Sequence, residues 1–188
     1  MSRYATLADL KEFVQIVDTL DDGLLETAIA AAETQIDQWC RRRFDVPVVA
    51  TERLYATAGA TVLAIDDAIQ VDAVEVRPSI SGSYVAVTFE EGPLNAAADG
   101  WPYTELFFAR PVTGRVKVTA EFGWPEVPDT VKQATLLQAS RLAQRRNAQF
   151  GIATVPGLDG TGIRLLSKLD ADVELLLAPV RRRPVLVG

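Results

Sequence analysis

The apolar pattern of this 188-residue chain changes its period twice. Up to about residue 43 the apolar residues recur every three or four positions. Between about residues 48 and 122 they alternate, and from about residue 130 the helical spacing returns. Side chains repeat every 3.6 residues around a helix and every two along a strand, so neither pattern buries its apolar face in the other geometry. The fold class that satisfies all three stretches is α+β. A helical bundle is built from N- and C-terminal helices, with a small antiparallel β domain inserted between them. The expected division is 1–45 for the first helices, 46–124 for the β insertion, 125–178 for the last helices and 179–188 for an extended arm.

Local signals refine each stretch. Thr6 and Asp9 stand at capping-box spacing, and Leu7, Leu10, Phe13 or Val14, and Val17 follow at helical spacing. Asp21 or Asp22 can cap a longer helix running to about Arg43, with Leu25, Ile29, Ala32, Ile36 and Trp39 as its stripe. Arg41, Arg42 and Arg43 would then occupy its last turn, where cations meet the negative helix end. Pro125 and Pro128 hold extended backbone before a helix capped by Asp129. The apolar arc of that helix is wider than one packing contact requires. It is either a central helix of one subunit or a helix with one face on a neighbour. The second case would place Leu136, Leu137, Ala139, Arg141, Ala143 and Arg145 at a subunit interface. A short helix from Asp170 to Pro179 closes the folded part.

Six strands are expected in the middle: Val48–Thr57, Thr61–Ile65, Val71–Arg77, Tyr84–Glu90, Leu106–Ala109 and Arg115–Phe122. Val85, Val87 and Phe89 share one face, as do Val116, Val118, Ala120 and Phe122. Trp101 and Tyr103 lie in a long loop and are read as tucking onto the sheet rather than binding a ligand. Residues 151–162 are rich in glycine, lack periodicity and read as a mobile loop.

Composition removes most catalytic readings. The chain has no histidine and a single cysteine, Cys40. The commonest general base, Cys/His zinc sites and internal disulfides are therefore all excluded. The acidic pairs Asp21/Asp22, Asp66/Asp67 and Glu90/Glu91 lack a third acid at metal spacing, and no phosphate-binding glycine pattern occurs. The expectation is a protein that is not an enzyme and needs no cofactor. No run reaches the roughly 20 apolar residues of a membrane span. The first residues also lack the apolar core of a secretory signal, which predicts a start in a cytoplasm.

Charge is polarised. Residues 1–130 hold 10 Lys/Arg against 21 Asp/Glu, whereas residues 131–188 hold 9 against 4. That asymmetry suits a subunit that meets partners, or copies of itself, at opposite ends. An isoelectric point near 4.8 argues against DNA binding as the main function. A DNA-binding accessory protein using the basic C-terminal third remains the alternative.

The order of features resembles a known family. "LADLKEFVQI", a helix ending "IDQWCRRRF", the stretch "VTAEFGWPEVPDTVKQATLLQASRLAQRR" and a closing "LLLAPVRR" are similar to the head-to-tail connector (adaptor) proteins of tailed bacteriophages. Gly123-Trp124-Pro125, then Val127-Pro128 and Val131-Lys132-Gln133-Ala134, carry most of the likeness. The β segment resembles the insertion of longer members, and Val180 stands where the family's closing motif has an aromatic. The resemblance implies a homo-oligomeric ring, commonly a dodecamer, under the portal of the packaged head. One end would meet the portal protein and the other a stopper or tail-completion protein, with DNA passing transiently down an axis whose lining includes acidic residues. It further implies a virion location, with assembly in the host cytoplasm.

The family's C-terminal segments commonly grip the portal. By that resemblance Val180, Arg181, Arg182, Arg183, Pro184, Val185, Leu186 and Val187 form a portal-docking arm. Burying its four aliphatic residues would contribute about 1.5–3 kcal/mol each. Ordering the backbone costs about 1–2 kcal/mol per residue, so one arm is near break-even and repetition around a ring must supply avidity.

Overall fold

The computed structural model describes residues 4–145, 152–153, 163–164 and 169–182. The described elements run α1 (Leu7–Val14), α2 (Asp22–Cys40), β1 (Thr51–Arg77), β2 (Val85–Ala86), β3 (Glu90–Gly92), β4 (Tyr103–Phe122), α3 (Asp129–Arg145), β5 (Ile152–Ala153), β6 (Ile163–Arg164) and α4 (Ala171–Leu177). The class is α+β, with helices toward both ends of the chain and an antiparallel sheet between them. The chain divides into two compact units, one of Met1–Arg43 with Pro128–Gly188 and one of Phe44–Val127. No helix among the described residues is long and apolar enough to cross a membrane.

In the helical unit, α1 begins with the capping box the sequence implies. The Thr6 Oγ1 accepts from the Asp9 N–H at 3.1 Å, and the Asp9 carboxylate accepts from the Thr6 N–H at 2.8 Å. The Thr6 hydroxyl, which donates to the Asp9 carboxylate at 2.6 Å, and then the Thr6 N–H hold the Asp9 carboxyl below the usual carboxylate range. Leu10, Leu25, Ala28, Ile29, Ala32 and Ala139 form the core, and Leu136, Leu142 and Ala143 pack against it. α3 thus lies among its own chain's helices, in contact with α1, α2 and α4. α2 starts after Asp21 but stops at Cys40, three residues short of the expected end. Arg41 adopts the left-handed conformation (φ 55°) and caps the helix, so the arginine triplet follows the last turn instead of forming it.

The β unit is built mainly from two long strands. β1 runs antiparallel to β4 from Thr51↔Ala120 to Ala68↔Tyr103, then bends and returns along the other side of β4 from Ala68↔Phe122 to Arg77↔Arg115. Both ends of β4 therefore meet at Ala68, and the sheet curls around its core. β2 pairs with the outer side of β1, and β3 with the first part of β4. Three of the expected strands merge into β1, because the interruptions near Gly59 and at Asp66–Asp67 are register shifts, not turns. The expected Tyr84–Glu90 strand instead contributes two short pieces.

The "TG" before Arg115 also fails to turn the chain. Gly114 sits within β4 with φ 120°, and a Cβ there would lie 2.4 Å from the Arg77 carbonyl oxygen. It is a close approach between strands. Val116, Val118, Ala120 and Phe122 are all buried on one face, as their alternation implies. Val85 is exposed and does not share the face of Val87 and Phe89.

Candidate assembly surfaces

The strongest sequence signature, Gly123-Trp124, is part of a buried clasp in the β unit. The Trp124 indole N–H donates to the Asp67 carboxylate at 3.0 Å, and its ring lies 5.1 Å from Phe44 and 5.3 Å from Trp101. Its backbone N–H donates to the Asp45 carbonyl, and the Gly123 N–H donates to the Asp67 carbonyl. A Cβ on Gly123 would stand 2.2 Å from the Asp45 oxygen, so only glycine fits. These contacts tie the first residues of the β unit to its last ones. They also explain the adjacent acids. Asp67 is buried as the acceptor for Trp124, while Asp66 pairs with Arg53 at 2.7 Å and accepts from the Tyr55 hydroxyl at 3.0 Å. Both carboxylates act structurally. Burial pushes the Tyr55 hydroxyl up to about 12. Trp101, expected to tuck onto the sheet, touches the Trp124 ring yet stays 40% exposed.

The base of the C-terminal arm is fixed in the helical unit. Val180 is buried, its N–H donating to the Leu177 carbonyl and its own carbonyl accepting from the Arg42 guanidinium at 3.0 Å. The Arg182 N–H donates to the Cys40 carbonyl, and the Arg181 guanidinium lies 4.5 Å above the Trp39 ring. The two arginine runs thereby come together at the end of α2, a juxtaposition that sequence spacing could not show. Arg183, Pro184, Val185, Leu186 and Val187 lie outside the described residues. Beside this base, burial pushes the Cys40 thiol up to about 12, so it is filler without thiolate reactivity.

The α3 candidates separate by environment. Ala139 is fully buried in the helical core, with Leu136 and Ala143 packed against it. Leu137 is half-buried, and Arg141 forms an ion pair with Asp170, the residue that caps α4. The Arg145 side chain lies outside the described residues. Packing within the chain thus accounts for most of the wide arc. Sequence reasoning passed over the α1–α2 turn, where Val17 and Leu20 are nearly fully exposed.

Comparison with known proteins finds a likeness over the first part of the chain. Residues 4–81 match the model of the phage gp6-like head-tail connector proteins. The match covers α1, α2 and the whole of β1, and it agrees with the resemblance carried by "LADLKEFVQI" and "IDQWCRRRF".

Solved structures with the same fold come from gene transfer agent (GTA) particles. A chain from the neck of an empty GTA particle with six-fold symmetry is 17% identical, with a TM-score of 0.56. Chains from the virion of the native GTA particle and from its neck with twelve-fold symmetry are 19% and 18% identical, with TM-scores of 0.55 and 0.53. Each comparison covers 97% of this chain and 91% of the other. At such identity the likeness is one of fold. No curated protein sequence matches this chain.

Proposed function

We propose that this chain is the head-to-tail connector (adaptor) of a tailed phage or phage-like particle. It would form a ring under the portal, join the portal to the tail or a stopper, and let DNA pass. One observation carries this reading: the family match over residues 4–81 coincides with a fold likeness to particle-neck chains over nearly the whole length of both. The six- and twelve-fold symmetry of those necks favours a ring of copies, with twelve as the working number. The protein would work at the head-tail interface of the particle, after assembly in the host cytoplasm.

Within this reading the arm begins from a fixed base. Val180–Arg182 stay against α2, and residues 183–188 reach the portal, where Arg183 pairs with carboxylates and the apolar tip is buried. Partly exposed Leu137, which is outside the helical core, is the α3 aliphatic candidate for contact with a neighbour. Acidic residues of the first 130 positions face the channel, because a negative lumen repels phosphate and lets DNA slide. The DNA-binding alternative has less support, since the chain is acidic, with an isoelectric point near 4.8.

Electron micrographs of the protein mixed with its portal test the proposal. A coaxial ring on the portal is the expected result. Absence of any ring, together with tight and salt-steep DNA binding by the isolated subunit, would replace it with the alternative.

A further inference from the structure

We infer that the α1–α2 turn is a preformed knob that docks onto the arginine-rich end of α2 in a second copy of the chain, giving a heterologous contact. The inference rests on the ring reading above and names the two surfaces that would meet. Val17 is 97% exposed and Leu20 is 91% exposed, and Phe13 beside them is 44% exposed. Single exposed aliphatics are ordinary, but this group is held in place. The Gln15 and Ile16 N–H groups donate back to α1 carbonyls. The Lys11 ammonium bridges the Asp18 carbonyl and, at 2.7 Å, the Asp22 carboxylate. The Leu20 N–H donates to the Asp18 side chain at 3.1 Å. A turn tied at three points presents its aliphatic residues without the ordering cost that a loose loop would incur on binding.

Charge selects the occupant. Residues 9–22 carry five carboxylates and one lysine, whereas the other end of α2 gathers Arg41, Arg42 and Arg43 with Arg181 and Arg182. Acids at its start and arginines at its end complement the dipole of α2 itself. That effect fades within a turn and requires no exposed aliphatics. The arginine end offers the complementary chemistry: the partly buried Trp39 ring with the Arg181 guanidinium stacked over it, flanked by exposed Arg41 and Arg43. Val17 and Leu20 would pack on that platform while Asp18 meets the guanidinium groups. The two surfaces sit at opposite ends of a 19-residue helix about 28 Å long, so no molecule can satisfy itself. A contact between two different patches repeats head to tail and closes into a ring when the rotation allows.

The distance supplies the test. A disulfide needs Cα atoms about 4.4–6.8 Å apart, so cysteines at positions 20 and 41 can join only between molecules. Full-length protein carrying L20C and R41C together should give a covalent ladder of several subunits on mild oxidation, while each single variant stops at dimers. Sedimentation of the unaltered protein, alone and with portal, runs in parallel. Assembled protein whose double variant yields only dimers overturns the knob contact and leaves the ring reading standing. Unaltered protein that never assembles overturns both. As an independent arm, V17D/L20D should abolish assembly without moving the melting curve. Full assembly by that variant also overturns the contact.

Discussion

The Trp124 corner of the β unit and the α1–α2 turn of the helical unit are both irregular segments tied by hydrogen bonds, yet they point most of their apolar groups in opposite directions. At the corner, Trp124 and Phe44 stack inward, partly exposed Trp101 rests on Trp124, and Asp67 is buried to satisfy an indole N–H. At the turn, Lys11 and Asp18 hold the backbone while Val17 and Leu20 face water. The hydrogen bonding of a loop therefore does not reveal whether it serves the fold. The destination of its apolar side chains does. Changes at the corner should register in stability, and changes at the turn in association.

The sharpest break is expected from Gly123→Ala. Its Cβ would overlap the Asp45 carbonyl, a backbone atom that cannot step aside, so a loss of about 4 kcal/mol or more is expected in chemical denaturation. Next comes Trp124→Phe, which keeps the ring but takes one donor from buried Asp67. It should cost about 1–3 kcal/mol, and Asp67→Asn in the same background should recover part of that loss.

Thr6→Ala removes the α1 cap and should cost about 1 kcal/mol. The same cap predicts a direction with pH. Asp9 has a folded pKa below its unfolded value, so its contribution is complete above the unfolded pKa. It is lost as pH falls through the ordinary carboxylate range toward the lowered folded value. The acid side of the melting profile should therefore flatten in Thr6→Ala. The smallest stability effect belongs to Val17→Asp, within about 0.5 kcal/mol because the residue is already solvated. Its effect should be confined to sedimentation. A large drop in melting temperature there would dissolve the distinction between the two loops.

How much of this was legible in the sequence depends on the range of each interaction. The Thr6–Asp9 box, the Asp170 cap of α4 and the buried face of Val116–Phe122 could be read because they rest on local spacing. The end of α2 was misjudged by three residues, since a left-handed Arg41 is an arginine in a conformation usually left to glycine or asparagine. The merging of three expected strands into β1 depends on bulges that composition does not mark. The Asp67–Trp124 pair joins residues 57 positions apart, and Asp67 looked like half of an idle acidic pair. The exposed turn was absorbed into helix periodicity, where Val17 counted as another stripe residue although α1 ends at Val14.

The bond between Arg42 and the Val180 carbonyl spans 138 residues. It has a consequence for the order of events on the ribosome. The β unit is one continuous stretch, Phe44–Val127, and can complete itself while the rest of the chain is still being made. The helical unit cannot, because its ties from Val180 and Arg182 to the end of α2 exist only once those residues have been made. A prematurely terminated chain would thus carry a finished β unit and an open helical one. The fold itself would keep such fragments from competing with full-length subunits.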